Sequence, residues 1–264
     1  MSTWILLRGL TRERRHWSSF PELLHHEFPH ARVIALDLPG NGEFNNVTSP
    51  LRVTGMVSHC RNELARQGVR PPYRLLTMSM GGMVATAWAQ QFPAEIDVCV
   101  LINTSFAAFS PQHERLRPGA WLALLRLLFT RKARSKERLV FNLTSQLAYA
   151  PPALLDEWVG IRLSRPVRAL NALRQLIAAA RFCAPTSAPA LTLLLASGGD
   201  GLVSARCSKE IARRWNCTIA MHPTAGHDLP LDEGEWVARE IREWLVAAVR
   251  KSETPALARL HGYL

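Results

Sequence analysis

The feature that most constrains this chain is Leu75-Leu76-Thr77-Met78-Ser79-Met80-Gly81-Gly82-Met83, an apolar run that leads into a serine fenced by small residues. Residues 73–78 read as a buried strand. Met83, Val84, Ala87 and Trp88, with small Ala85 and Ala89 between them, read as a helix packed on one face. Ser79 then sits at the apex of a strand-to-helix turn. A serine there takes a strained backbone conformation, which tolerates only small side chains two positions either side, and Thr77 and Gly81 supply them. The plainer alternative is a buried serine in an ordinary turn.

The surroundings continue the same alternation. A strand at 4–7 turns out through Arg8-Gly9-Leu10, a helical spacing covers 17–28, and a strand at 32–36 ends in Asp37-Leu38-Pro39-Gly40-Asn41-Gly42. In that loop Pro39 fixes φ and the two glycines permit positive φ, so the chain can fold back on itself there, and Asp37 is assigned no catalytic role. A helix at 53–67, the strand at 73–78, the helix after Ser79 and a near-continuous apolar strand at 96–102 follow. Strands alternating with helices argue for an α/β chain with a mostly parallel sheet covered on both faces.

From 104 to 189 the pattern turns helical, with helices expected at 120–128, 139–149, 152–162 and 166–182. The sheet resumes at 191–196 and ends in Ser197-Gly198-Gly199-Asp200-Gly201-Leu202-Val203. A helix at 208–215, a strand at 218–221, the loop Ala225-Gly226-His227-Asp228, a helix at 233–250 and a loose tail from 252 to 264 complete the chain. The expected organisation is a core of residues 1–103 and 190–264 with a helical insertion at 104–189.

Composition narrows the function classes. At 264 residues and 48% hydrophobic content the chain can bury a substantial core, and it contains no apolar run of the length of about eighteen residues that a spanning helix needs. A strand directly after Met1-Ser2-Thr3 leaves no room for a signal peptide, so a cytoplasmic setting is expected. Five scattered cysteines (Cys60, Cys99, Cys183, Cys207, Cys217) without a C-x-x-C pair suggest reduced structural thiols, with neither a disulfide framework nor a metal site. The net charge is +11, and residues 104–190 carry thirteen Lys and Arg against four Asp and Glu. That local excess of nine is most of the total. It includes Arg134, Arg138, Arg162 and Arg165, and guanidinium groups suit carboxylate and phosphate partners. Nucleic-acid binding is suggested by charge alone, with no basic-aromatic module behind it.

Three loops, each after its own strand, offer Ser79, Asp200 and His227 in that order. The strand-to-helix turn at Ser79, the Asp-x-Pro-Gly-x-Gly loop, Gly-Gly-Asp-Gly-Leu-Val and Ala-Gly-His-Asp together resemble the α/β-hydrolase superfamily over residues 3–103 and 190–250, with a helical cap matched in position. The resemblance implies a serine carboxylic ester hydrolase in which Ser79 attacks, His227 is the base and Asp200 orients it. It places the backbone N–H groups of Leu10 and Met80 in the oxyanion hole and requires no cofactor or metal. Arg8 stands where the family carries His, and Thr77 where it carries Gly.

The layout is similar to the carboxylesterase group that includes the methyl esterase of pimeloyl carrier protein in biotin synthesis. This makes a small acyl ester the expected substrate and an acidic acyl carrier protein a partner for the cap arginines. An acyl thioesterase and a non-catalytic binding protein on the same scaffold are the alternatives. His222 and Asp228 are the neighbours most easily mistaken for members of the catalytic set.

Overall fold

Short runs rich in Leu, Ile and Val form a six-stranded sheet in the computed structural model, which describes residues 2–260. The strands are β1 (Thr3–Leu7), β2 (Arg32–Leu36), β3 (Tyr73–Met78), β4 (Ile96–Ile102), β5 (Leu191–Ser197) and β6 (Thr218–His222), in the order β2-β1-β3-β4-β5-β6 with every pair parallel. Side chains alternate across it with period two. Ile5, Leu7, Leu75, Cys99, Leu101 and Leu194 face one core. Trp4, Leu6, Leu76, Val98, Val100, Leu193 and Leu195 face the other.

Helices α1 (Phe20–Glu27) and α11 (Gly234–Leu260), with the single turn α10 (Leu229–Asp232), close the second core. The first is closed by α2 (Val53–Arg66), α3 (Met80–Gln91) and α9 (Ala205–Trp215). This is the expected doubly covered parallel sheet. Register sets Leu7 beside Thr77, Met78 beside Ile102 and Ile102 beside Leu195. The carboxyl ends of the central strands are therefore level, and the loops that leave them share one edge, where open α/β sheets bind ligands.

Between β4 and β5 lie helices only: α4 (Gln112–Arg115), α5 (Pro118–Phe129), α6 (Ala133–Thr144), α7 (Pro152–Ser164) and α8 (Ala169–Arg181). The helix expected at 139–149 starts earlier and stops at Thr144. Beyond it the Ser145 hydroxyl and the Gln146 N–H both donate to the Asp232 carboxylate, which draws the chain out of the helix. Helix α8 begins three residues after Pro166, with the preceding Arg168 in an extended conformation. Helix α9 starts at Ala205, earlier than expected, with the Ser204 hydroxyl capping the Arg206 N–H.

The tail expected from 252 is helical as far as Leu260, and residues 261–264 lie outside the described part. Burial holds the Cys60 and Cys99 thiols up at about 12, which makes them inert core groups.

Helix α8 is fastened to the core by two amides. Gln175, fully buried, accepts the Thr11 N–H at 3.0 Å and donates to Asn41 Oδ1 at 2.8 Å. Asn171 accepts the Ser49 N–H at 3.0 Å and donates to the Val47 carbonyl. The Asp37 loop is thereby held between sheet and cap. Its Gly40 and Gly42 adopt φ of +91° and +51°, and Asp37 itself accepts the Arg14 and Glu43 N–H groups.

Candidate active site

Ser79 lies between β3 and α3 at φ 55° and ψ −120°, a conformation that L-residues rarely adopt and that the fold must impose. Its N–H donates to the Ile102 carbonyl at 2.9 Å, and its own carbonyl accepts the Thr104 hydroxyl at 2.8 Å. Two glycines let the neighbouring backbone close in. A Cβ on Gly81 would stand 2.6 Å from the Leu7 carbonyl oxygen, and one on Gly9 would stand 2.9 Å from Ser79 Cβ. The turn of Gly9 and Leu10 therefore abuts the serine. Met80, as the first residue of α3, has an N–H with no intrahelical acceptor, and the positive end of the helix lies behind it.

Asp200 and His227 meet directly. His227 Nδ1 lies 2.7 Å from Asp200 Oδ2, with both residues at 3% exposure or less. Asp200 Oδ1 accepts the N–H groups of Leu202 and Val203 at 2.8 Å each, so the carboxylate is oriented by its own loop. Among the described residues no hydrogen bond joins Ser79 Oγ to His227. Catalytic contacts of this kind commonly tighten only when substrate binds.

Asn103, which the sequence did not single out, ties these loops together. At φ 47° it leaves β4, donates through Nδ2 to Ser197 Oγ and the His227 carbonyl at 2.9 Å each, and accepts the Ser197 N–H at 2.9 Å. Thr104 next to it holds the Ser79 carbonyl. One dipeptide therefore connects the serine turn, the end of the acid strand and the histidine loop. The only local hint was a polar Asn-Thr-Ser run immediately after a strand.

Arg8, which stands where the resembled family carries His, points inward. Its guanidinium forms a two-pronged ion pair with Asp228, with Nη1 to Oδ1 at 2.9 Å and Nη2 to Oδ2 at 2.5 Å, and both side chains are buried. It also lies 4.9 Å from the centre of the Trp17 ring. Asp228 follows His227, so this pair joins the loop bearing Leu10 to the loop bearing the histidine. His222 stays at the end of β6, where its Nδ1 accepts the Ala225 N–H.

The four cap arginines have distinct surroundings. Arg162 and Arg12 both bind Glu137, whose carboxylate is 1% exposed, and the Arg12 guanidinium packs 4.3 Å from the Trp158 ring centre. Arg134 pairs with Asp156, and Arg165 lies 3.6 Å from Glu43. Arg138 is exposed and makes no ion pair among the described residues.

His16 is buried edge-on against Trp158, and its Nδ1 accepts the Glu13 N–H. Desolvation, then the charges of Arg12 and Arg8, hold its pKa well below the ordinary histidine value. An unfolded chain binds a proton at this residue below about pH 6.5 that the native state refuses, so stability must fall as pH drops through that value. The expected slope is up to about 1.4 kcal/mol per pH unit, and His16→Gln should flatten it in urea titrations between about pH 6.5 and 5. An unchanged slope in the variant would assign the acid sensitivity elsewhere.

Residues 4–240 match the family model described as the alpha/beta hydrolase family. The chain belongs to that family. No curated protein matches the sequence. Among solved structures it is similar to a meta-cleavage product hydrolase from Pseudomonas fluorescens, at 16% identity and a TM-score of 0.75, over 94% of this chain and 92% of that one. An esterase from Thermogutta terrifontis aligns at 21% identity and 0.69, over 94% and 90%. A bacterial membrane phospholipase A aligns at 21% and 0.73, over 93% and 79%. At these identities the likeness is one of fold.

Proposed function

We propose that the protein is a serine carboxylic ester hydrolase working through an acyl-enzyme intermediate. The observation that carries this reading is the 2.7 Å His227–Asp200 pair, tethered through Asn103 and Thr104 to a serine held at φ 55°. His227 Nε2 takes the Ser79 proton as Oγ bonds to the ester carbonyl carbon. The N–H groups of Leu10 and Met80 stabilise the resulting oxyanion, and the imidazolium returns its proton to the departing alcohol. Water then attacks the acyl-enzyme, again deprotonated by His227, and releases the acid and free Ser79. Side chains, backbone N–H groups and water suffice for every step.

A fluorophosphonate probe is expected to label the protein at Ser79 alone, and labelling should be lost when His227 is replaced by Ala. Labelling that fails in the native protein would favour a non-catalytic binding role on this scaffold. The same constellation cleaves thioesters, and the relative kcat/KM for a short p-nitrophenyl ester and an acyl thioester separates the two activities.

The finer reading of the substrate, a small acyl ester borne by an acidic acyl carrier protein, draws on the local excess of nine positive charges in residues 104–190. Three of the four arginines first considered are engaged with carboxylates of their own chain, which concentrates this reading on Arg138. Arg138→Glu should then raise KM for a carrier-bound ester and leave turnover of a small neutral ester unchanged. The unpaired thiols of the five cysteines support a cytoplasmic setting.

A further inference from the structure

Helix α5 exposes more large apolar side chains than any other helix of the cap. It buries only Ala120, while Trp121, Leu122, Leu125, Leu128 and Phe129 are 53, 56, 51, 77 and 78% exposed. At about 100° per residue these five side chains fall within an arc of about 120°, so they form one continuous apolar face. A face of that kind marks an interaction surface.

Charge specifies what it meets. From Pro118 to Lys136 the chain has no carboxylate and five cations, Arg126, Arg131, Lys132, Arg134 and Lys136. Arg134 is occupied by Asp156, whereas Arg126, Arg131 and Lys132 are exposed. Arg126 lies about 60° beyond Phe129 around the helix. Arg131 and Lys132 follow Phe129 by two and three residues, a span of about 10 Å at most. Cations therefore border the apolar face. A second copy of the chain would set these like charges against each other across a two-fold axis. An acidic protein surface would satisfy the cations and leave five large apolar side chains against polar groups. An anionic lipid surface supplies both complements, acyl chains below and phosphates above.

We propose that α5 is an interfacial helix that docks the protein on an anionic phospholipid surface, with Trp121, Leu125, Leu128 and Phe129 in the acyl boundary and Arg126, Arg131 and Lys132 among the headgroup phosphates. This is peripheral attachment, since none of the helices among the described residues is long and apolar enough to cross a membrane. Arg117 fixes the start of the helix to the loop of Asp200, its N–H donating to the Leu202 carbonyl at 2.9 Å and its Nη1 to the Asp200 carbonyl at 2.7 Å. The docked helix, about 18 Å long, thus begins at the candidate site. The attachment is independent of the chemistry at Ser79, so either can fail without the other.

The test is co-sedimentation of the full chain with phosphatidylcholine vesicles and with vesicles containing about one quarter phosphatidylglycerol, at about 50 and about 300 mM NaCl. Partitioning should be about tenfold stronger on the anionic vesicles and weaken at the higher salt. Leu128→Asp with Phe129→Asp should reduce binding to anionic vesicles about tenfold or more, and Arg131→Glu with Lys132→Glu should abolish the preference for phosphatidylglycerol. All four residues are exposed, and an unchanged thermal midpoint and circular dichroism spectrum verify the fold of each variant.

Native protein that stays in the supernatant with both vesicle types overturns the proposal, as does undiminished binding by the Leu128/Phe129 variant. In the absence of vesicle binding, a dimer dispersed by that same change would give the face to a second copy. Capture on immobilised acidic acyl carrier protein, lost in that variant, would give it to that class of partner.

Discussion

Replacement of Ser79 by Ala is expected to lower kcat for ester hydrolysis by on the order of 10⁶-fold with the fold intact. In the proposed mechanism Ser79 and His227 act as one unit, so His227→Ala should cost a similar factor, and combining the two should cost little more than either alone. Asp200→Asn should cost less, about 10⁴-fold. Its effect follows from how the carboxylate is held. Oδ1 accepts two N–H groups, from Leu202 and Val203, while Oδ2 faces His227 Nδ1. An asparagine would keep its oxygen on the two amides and turn its NH₂ toward the imidazole. Nδ1 must then accept, the ring proton moves to Nε2, and the nitrogen facing the serine can no longer take its proton. Near-normal turnover by Ser79→Ala would sink the mechanism, and full activity in Asp200→Asn would remove Asp200 from it.

The sequence made the sheet legible because its information is local: strand and helix periods, and loops whose glycines and proline dictate backbone angles. Gly40 and Gly42 do take the positive φ that the Asp37 loop implied. The loops of Asp200 and His227 were placed in the same way, each following its own strand. What escaped was carried by contacts far apart in the chain. Asn103 reaches residues 197 and 227, and Arg8 reaches Asp228, so neither role could be read from neighbouring residues.

The cap shows the same limit in its charges. Counting them located the positive excess, but a count cannot tell Arg162, engaged with Glu137, from exposed Arg138. Its helix ends were displaced for a related reason. Asp232, remote in sequence, decides where α6 stops by accepting from Ser145 and Gln146, and it also accepts the Gly226 N–H beside the histidine.

The second large effect is expected at the buried pair that joins the loops of Leu10 and His227. Asp228→Ala leaves the Arg8 guanidinium with no counter-charge in a site where the arginine is 3% exposed and its Nε is already without a partner. Stranding one member of such a pair costs about 3–5 kcal/mol, whereas replacing both by apolar side chains of similar size is often neutral or stabilising. Asp228→Ala should therefore be strongly destabilised in urea titrations, and Arg8→Met with Asp228→Leu should recover most of that loss.

Activity separates positioning from packing. The fork between Arg8 and Asp228 has a fixed geometry that two apolar side chains do not reproduce, and it ties the turn that carries Leu10 to the loop that carries His227. The double variant should thus regain stability while kcat stays about 10²-fold below normal with KM little changed, because the oxyanion forms only in the transition state. If stability and kcat return together, the pair serves the fold alone and the alignment of the two loops is secured elsewhere, with Asn103 the first residue to examine.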